Sequence, residues 1–271
     1  FQDHRLSKLP KLVIGMWQIS TALLAAHAGL ANGFLRQNGD ASGFVKALEF
    51  KHRLRVCNAY PYGEPIDLYR TTEKLTEQPM PYKTCKDFLS PLKAGDKLEF
   101  KVGDASAGTF AVSDLPNNDA VLLLIIHRHD AVSTAVSFES HVFANLLNAQ
   151  VAVIDTYKGL QRATPRIKDR EDQSRSRSEE LRYSSIVAVN PGVYEVELDG
   201  ADGEVKAKSE LVALNRESYI ILRTGVESKT GTSYPQELVI YPSSDPKLLH
   251  SGASVPRMLV AVLLVVVSML R

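Results

Sequence analysis

The side chains best suited to chemistry in this chain are few and scattered. His127-Arg128-His129 is the strongest metal candidate. In an extended strand, residues two apart point to the same side, so His127 and His129 would share one face and one cation. A third ligand would have to come from Asp130 or His141. The ordinary alternative is a polar strand end entering a loop, which needs no metal, and it is the expectation here. Serine, histidine and aspartate all occur, but no G-x-S-x-G elbow presents a serine as nucleophile. There is no H-E-x-x-H, no P-loop and no G-x-G-x-x-G, so no cofactor is implied. Glu195 and Glu197 fall on one face of a strand pattern, where solvated charge is the normal state. The expectation is a non-catalytic protein.

Two further pairs bear on binding and covalent structure. Cys57 and Cys85 are the two cysteines, in no C-x-x-C arrangement that would hold a metal. They fall on expected strands of one domain. A disulfide and two separate core cysteines both remain open at this level. Tyr60-Pro61-Tyr62-Gly63 is an aromatic turn. Tyr60 and Tyr62 could stack on sugar faces or anchor a protein partner, or pack over the edge of their own domain, the more ordinary role.

The elements that must carry these residues are strands. Leu98, Phe100 and Val102 alternate with Lys97, Glu99 and Lys101, the period-2 pattern of a half-buried strand. Gly95 precedes it where a tight turn calls for positive φ. The pattern returns after Asn190-Pro191-Gly192, with Tyr194, Val196 and Leu198 on one parity. Apolar runs follow each copy, Val121–Ile126 and Tyr219–Leu222. The repeat is roughly ninety to a hundred residues, the size of a small β-sandwich. Further strands are expected at Leu54–Ala59, Ile66–Tyr69, Tyr82–Leu89, Gly108–Val112, Gln150–Asp155, Ser185–Val189, Val205–Leu211 and Gln236–Ile240. With Gly/Pro turns between them and no good helix, the fold class is all-β, two tandem small antiparallel β-sandwiches.

At 271 residues, two domains fit a prior of about 150 residues each. A hydrophobic content of 44% suffices for real cores. The net charge of +1 excludes bulk electrostatic capture of nucleic acid or an acidic membrane. Residues 1–31 read as a secretory signal peptide: Arg5, Lys8 and Lys11, then the apolar run Leu12–Ala26, then small residues. Residues 32–50 read as a leader, 51–135 as the first sandwich and 136–242 as the second. The second copy is expected to open at His141–Asn145, with Asn145 in the place of Asn58. Its segment 158–182, centred on RIKDREDQSRSRSEE, reads as an inserted solvated loop.

Residues 243–271 read as a spacer and a hydrophobic anchoring or sorting signal. Met258–Leu270 is apolar but short for the roughly 30 Å of a hydrocarbon core. It fits a GPI signal, with Ser243 or Ser251 in the small-residue triplets where the anchor would join. A membrane-sorting tail closed by Arg271 and a buried terminal element are the competing explanations. Two targeting signals imply an exported protein, periplasmic or held at the cell surface, touching membrane only through this tail.

Several of these residues also carry a resemblance. Leu54-Arg55-Val56-Cys57-Asn58-Ala59, the Pro-containing turn and Ile66-Asp67-Leu68-Tyr69 resemble the R-V-x-N-A-x-P…v-D-v-y opening of a widespread family of exported β-sandwich domains. Asp87-Phe88…Leu92-Lys93-Ala94-Gly95-Asp96 is similar to the D-F-x-x-L-P-A-G stretch of AlgF, the alginate O-acetylation accessory protein, with Lys93 where that family carries Pro. The resemblance spans roughly residues 50–242. It implies a non-catalytic accessory or scaffold for O-acetylation of an exported, alginate-like polysaccharide. Its partners would be acetylation proteins or other exported proteins, and the polysaccharide itself. The alternative is a surface-anchored adhesion or structural module on the same fold.

Overall fold

The short strands follow from alternating side chains broken by turn residues. In the computed structural model they assemble as two sandwiches of identical plan. The structure describes residues 50–144, 148–170 and 178–249, all within one compact unit. The expected signal peptide, nearly all of the leader, and the apolar tail with Ser251 lie outside the described residues.

The first sandwich contains β1 (His52–Ala59), β2 (Ile66–Arg70), β3 (Glu73–Lys74), β4 (Thr84–Phe88), β5 (Lys97–Val102), β6 (Ala105–Ala111), β7 (Ala120–Arg128) and β8 (Val136–Ala144). Its inner sheet has the order β4-β1-β7-β8 and its outer sheet β3-β2-β5-β6. The second contains β9 (Ala149–Asp155), β10 (Ala163–Asp169), β11 (Ser178–Glu180), β12 (Ser185–Val189), β13 (Gly192–Gly200), β14 (Val205–Ala213), β15 (Ser218–Val226) and β16 (Tyr234–Tyr241). Its inner sheet is β12-β9-β15-β16 and its outer sheet β11-β10-β13-β14, the same plan eight strands on. A short 3-10 turn, Pro246–Leu249, closes the described chain.

The pairings are antiparallel except at the centre of each inner sheet, where β1 pairs parallel with β7 and β9 with β15. These central strands are buried on both faces. Leu122, Leu124 and Ile126 pack inside the first sandwich with Leu54, Val56, Leu68 and Phe100. Val151, Val153, Tyr219 and Ile221 fill the second with Val196 and Leu211. The opposite parity faces the other sandwich: Leu123, Ile125 and Phe143 meet Ile220 and Leu222 in a third core. Each of these five side chains contributes about 2 kcal/mol by burial, and separating the sandwiches would expose all of them. This is why Val121–Ile126 and Tyr219–Leu222 are continuous apolar runs rather than alternating ones.

Three expectations are corrected here. The boundary after residue 135 is misplaced, because β8 completes the inner sheet of the first sandwich by pairing with β7 from Ala120↔Ala144 to Arg128↔Val136. The second copy therefore opens at Ala149, and the counterpart of Asn58 is Asp155. Asn58 Oδ1 accepts from Tyr60 N at 3.0 Å and Asp155 Oδ1 from Tyr157 N at 3.0 Å, the same turn in both copies. Asn145 lies outside the described residues. Segment 158–182 is not an insert: β10 and β11 are the copies of β2 and β3. Ala163, Pro165 and Ile167 are buried on one face, while charged residues take the other. Residues 171–177 lie outside the described residues.

Glu197 is the third correction. Glu195 is part-exposed, but Glu197 is buried on the outer sheet between Lys168 and Lys208, which both ion-pair with it. Burial alone would raise its pKa. The two lysines outweigh that and hold it below the ordinary glutamate value. Gly95 has φ 91° in the turn before β5, as its position requires.

Candidate partner-binding surface

The Arg-Val-x-Asn-Ala stretch of β1 does structural work at every described position. Arg55 is fully buried and joins the sandwiches. Its Nε donates to Asp87 Oδ1 at 2.7 Å and its Nη2 to Asp87 Oδ2 at 2.8 Å, within its own sandwich. Across the interface it donates to Glu217 Oε1 at 3.2 Å and to the Ser218 carbonyl, and its guanidinium lies 5.0 Å from the Tyr241 ring centroid. Burial would lower the Arg55 pKa, but Asp87 and Glu217 together raise it, so the group stays charged. Cys57 pairs in register with Cys85 and the two are joined by a disulfide. Asn58 Nδ2 donates to Met80 O at 2.8 Å. The Ala59 carbonyl accepts from Thr224 Oγ1 of the second sandwich at 3.2 Å.

The two parallel strand pairs run in the same direction. Arg55, early in β1, meets Ser218 at the start of β15, and the loops after β7 and β15 touch at the far end. Four loops therefore share that end: residues 60–65, 129–135, 156–162 and 227–233. They are fastened to one another. Tyr60 OH donates to Thr134 O at 2.7 Å, Lys229 N to Ala131 O at 2.9 Å and Thr230 Oγ1 to Val132 O at 2.6 Å. Glu227 accepts from Tyr157 OH at 2.7 Å and Leu160 N at 2.8 Å. Asp130 organises its loop by accepting from Ser133 N at 2.6 Å and Val132 N at 2.8 Å. Those amides, with His129, hold its carboxyl well below the usual carboxylate range. Burial, then the Glu227 carboxylate, raises the Tyr157 phenol.

On this fastened surface three apolar side chains stand out in solvent: Tyr62, Val132 and Leu160, the last 91% exposed. Tyr62 leans on Tyr60, with ring centroids 5.7 Å apart. Tyr60 is buried against its own sandwich, while Tyr62 is exposed. Val132 and Leu160 were not legible as surface residues, and their one sequence signal is a lone aliphatic side chain inside a polar loop.

The histidines are not brought together. β7 ends at Arg128; His127 is 3% exposed, on the face turned to the second sandwich, while His129 is exposed beside Asp130 at 3.0 Å. His127 Nδ1 donates to Arg128 O at 2.8 Å, leaving Nε2 without a hydrogen bond among the described residues and 3.9 Å from Glu139 Oε1. Burial lowers its pKa, against the opposing pull of the Arg128 carbonyl. His141 lies on β8, facing Leu123 in register. No group of three or more His, Cys, Asp or Glu side chains among the described residues could hold a metal ion. Ser243 is exposed just beyond β16. No helix among the described residues is long and apolar enough to cross a membrane. No protein-family model matches the chain, and no curated protein matches it.

Proposed function

We propose that the chain is a non-catalytic assembly module of an exported polysaccharide-modifying system, an accessory to O-acetylation in the manner of AlgF. The observation that supports this reading is the fastened loop surface. Two sandwiches locked face to face hold Tyr62, Val132 and Leu160 in fixed positions, so a partner meets anchors whose ordering has already been achieved. The partner would be an exported acetyl-transferring protein with apolar pockets. The experiment is the ester-linked acetyl content of the cell's exported polysaccharide, with the gene deleted, restored, and restored as Tyr62→Ala/Val132→Asp/Leu160→Asp. Loss on deletion, recovery with the natural gene and failure with the triple variant are expected. Unchanged acetylation on deletion overturns the reading.

A second reading, a surface-anchored adhesion or structural module, is favoured by Ser243, exposed directly after the last strand where an attachment point would be accessible. A mature chain ending there with a glycolipid would establish it.

A further inference from the structure

At the end opposite the loop surface the inner sheets part, leaving a cleft of about 430 Å³ where β1, β7, β9 and β15 begin. Its charged lining is Lys51, Arg53 and Arg216 against Asp119 and Glu217. Three cations less two carboxylates leaves an excess of one positive charge. Arg53 is shared between Asp87 at 3.4 Å and Glu217 at 3.8 Å. Asp119 accepts the backbone N–H of Lys51 at 2.8 Å. The side chains of Lys51 and Arg216 have no ion-pair partner among the described residues. Arg216 is held at φ 62°, in the turn that leads into β15.

The second observation lies in the cleft wall. Gln150 is 7% exposed and lines the cleft. Its backbone N–H donates to Glu217 O at 3.1 Å, but its side-chain amide has no hydrogen bond among the described residues. Its amide atoms are not sealed from solvent but open onto the cleft, where a ligand can reach them. Leu89, 87% exposed, and Val121 give the same cleft an apolar edge.

We infer that this cleft binds a small monocarboxylate carrying an apolar group. Lys51 and Arg216 would take the carboxylate, Gln150 would donate its amide N–H to one oxygen, and Val121 and Leu89 would cover the body. The single surplus charge selects a monoanion. A dianion such as phosphate would place its second charge against Asp119 and Glu217. This goes beyond the assembly role and does not depend on it.

The test is calorimetric titration of the full chain with butyrate and benzoate, and with butyramide and inorganic phosphate as the neutral and dianionic controls. Saturable binding of butyrate or benzoate, at least tenfold tighter than either control, is expected. Lys51→Ala/Arg216→Ala should weaken it about tenfold or more without shifting the urea midpoint. Gln150→Leu should weaken binding with little change in the midpoint, because the amide is open to solvent in the cleft. A merely structural glutamine would move the midpoint and leave the affinity unchanged. No saturable binding of either carboxylate overturns the inference and leaves a water-filled cleft. So does butyramide or phosphate binding as tightly, or carboxylate binding that survives the double variant.

Discussion

Removing the Arg55 guanidinium should cost more than any surface change in the molecule. Arg55→Met keeps an unbranched chain in the fully buried site but deletes the two bonds to Asp87, the bond to Glu217, the bond to the Ser218 carbonyl and the stacking on Tyr241. Asp87 and Glu217 remain, with side chains 23% and 28% exposed, and lose their shared countercharge. Breaking a buried pair by removing one partner costs about 3–5 kcal/mol. Arg53, still 3.4 Å from Asp87 and 3.8 Å from Glu217, relieves part of that. The expected loss is therefore near the lower end, about 3 kcal/mol, or roughly 150-fold in the unfolding equilibrium. Because Leu123, Ile125, Phe143, Ile220 and Leu222 still hold the sandwiches together, urea unfolding followed by circular dichroism should keep one transition, moved to lower urea. Arg55→Met combined with Asp87→Asn and Glu217→Gln removes the stranded charges and should recover most of the loss. A loss under about 1 kcal/mol for Arg55→Met, or no recovery in the triple variant, would refute the reasoning.

Reducing Cys57–Cys85, or replacing both with serine, releases a cross-link with a sequence separation of 28 and should cost about 3.5 kcal/mol by chain entropy, read as a urea midpoint with and without reductant. Gly225→Ala should destabilise by more than about 2 kcal/mol, since φ is 129° and an added Cβ would lie 2.4 Å from the Pro235 carbonyl oxygen; an unchanged thermal midpoint would contradict this. Burial lowers the pKa values of His127 and His141, so the stability they contribute is complete above the unfolded value of 6.5 and is lost as pH falls through it toward their folded values. His127→Gln/His141→Gln should flatten the fall in urea midpoint below pH 6.5, and an unaltered slope would count against it. Glu197, also depressed, acts in a separate window: its contribution is present above 4.5 and lost on further acidification, so Glu197→Gln should matter at pH 7 and little at pH 3, roughly.

How much of this was legible depends on where each side chain's energy comes from. β5 was readable to the residue because Leu98, Phe100 and Val102 face one core and Lys97, Glu99 and Lys101 face water, so burial itself writes the period. β10 was hidden. Its inward face is Ala163, Pro165 and Ile167, two of which carry little hydrophobic signal, and a proline ordinarily argues against a strand with neighbours on both sides. The domain boundary failed for a different reason. β8 and β9 are separated by only residues 145–148, so local pattern shows two adjacent strands and not which sheet each joins. The fastened loop surface was half visible: turn chemistry marked Tyr60 and Tyr62, but Val132 and Leu160 gain meaning only beside loops that are distant in sequence.

By itself the sequence determined that the chain is all-β, that it repeats, and that its strands have one face each to bury, because these follow from side-chain periodicity over a few residues. Only the tertiary structure decided that the inner sheets have a second buried face, that Arg55 spends its charge between the sandwiches and that Cys57 reaches Cys85. Those outcomes are set by long-range register, with partners such as Arg55 and Ser218 separated by 163 residues, and no local pattern encodes which distant surface a strand will meet.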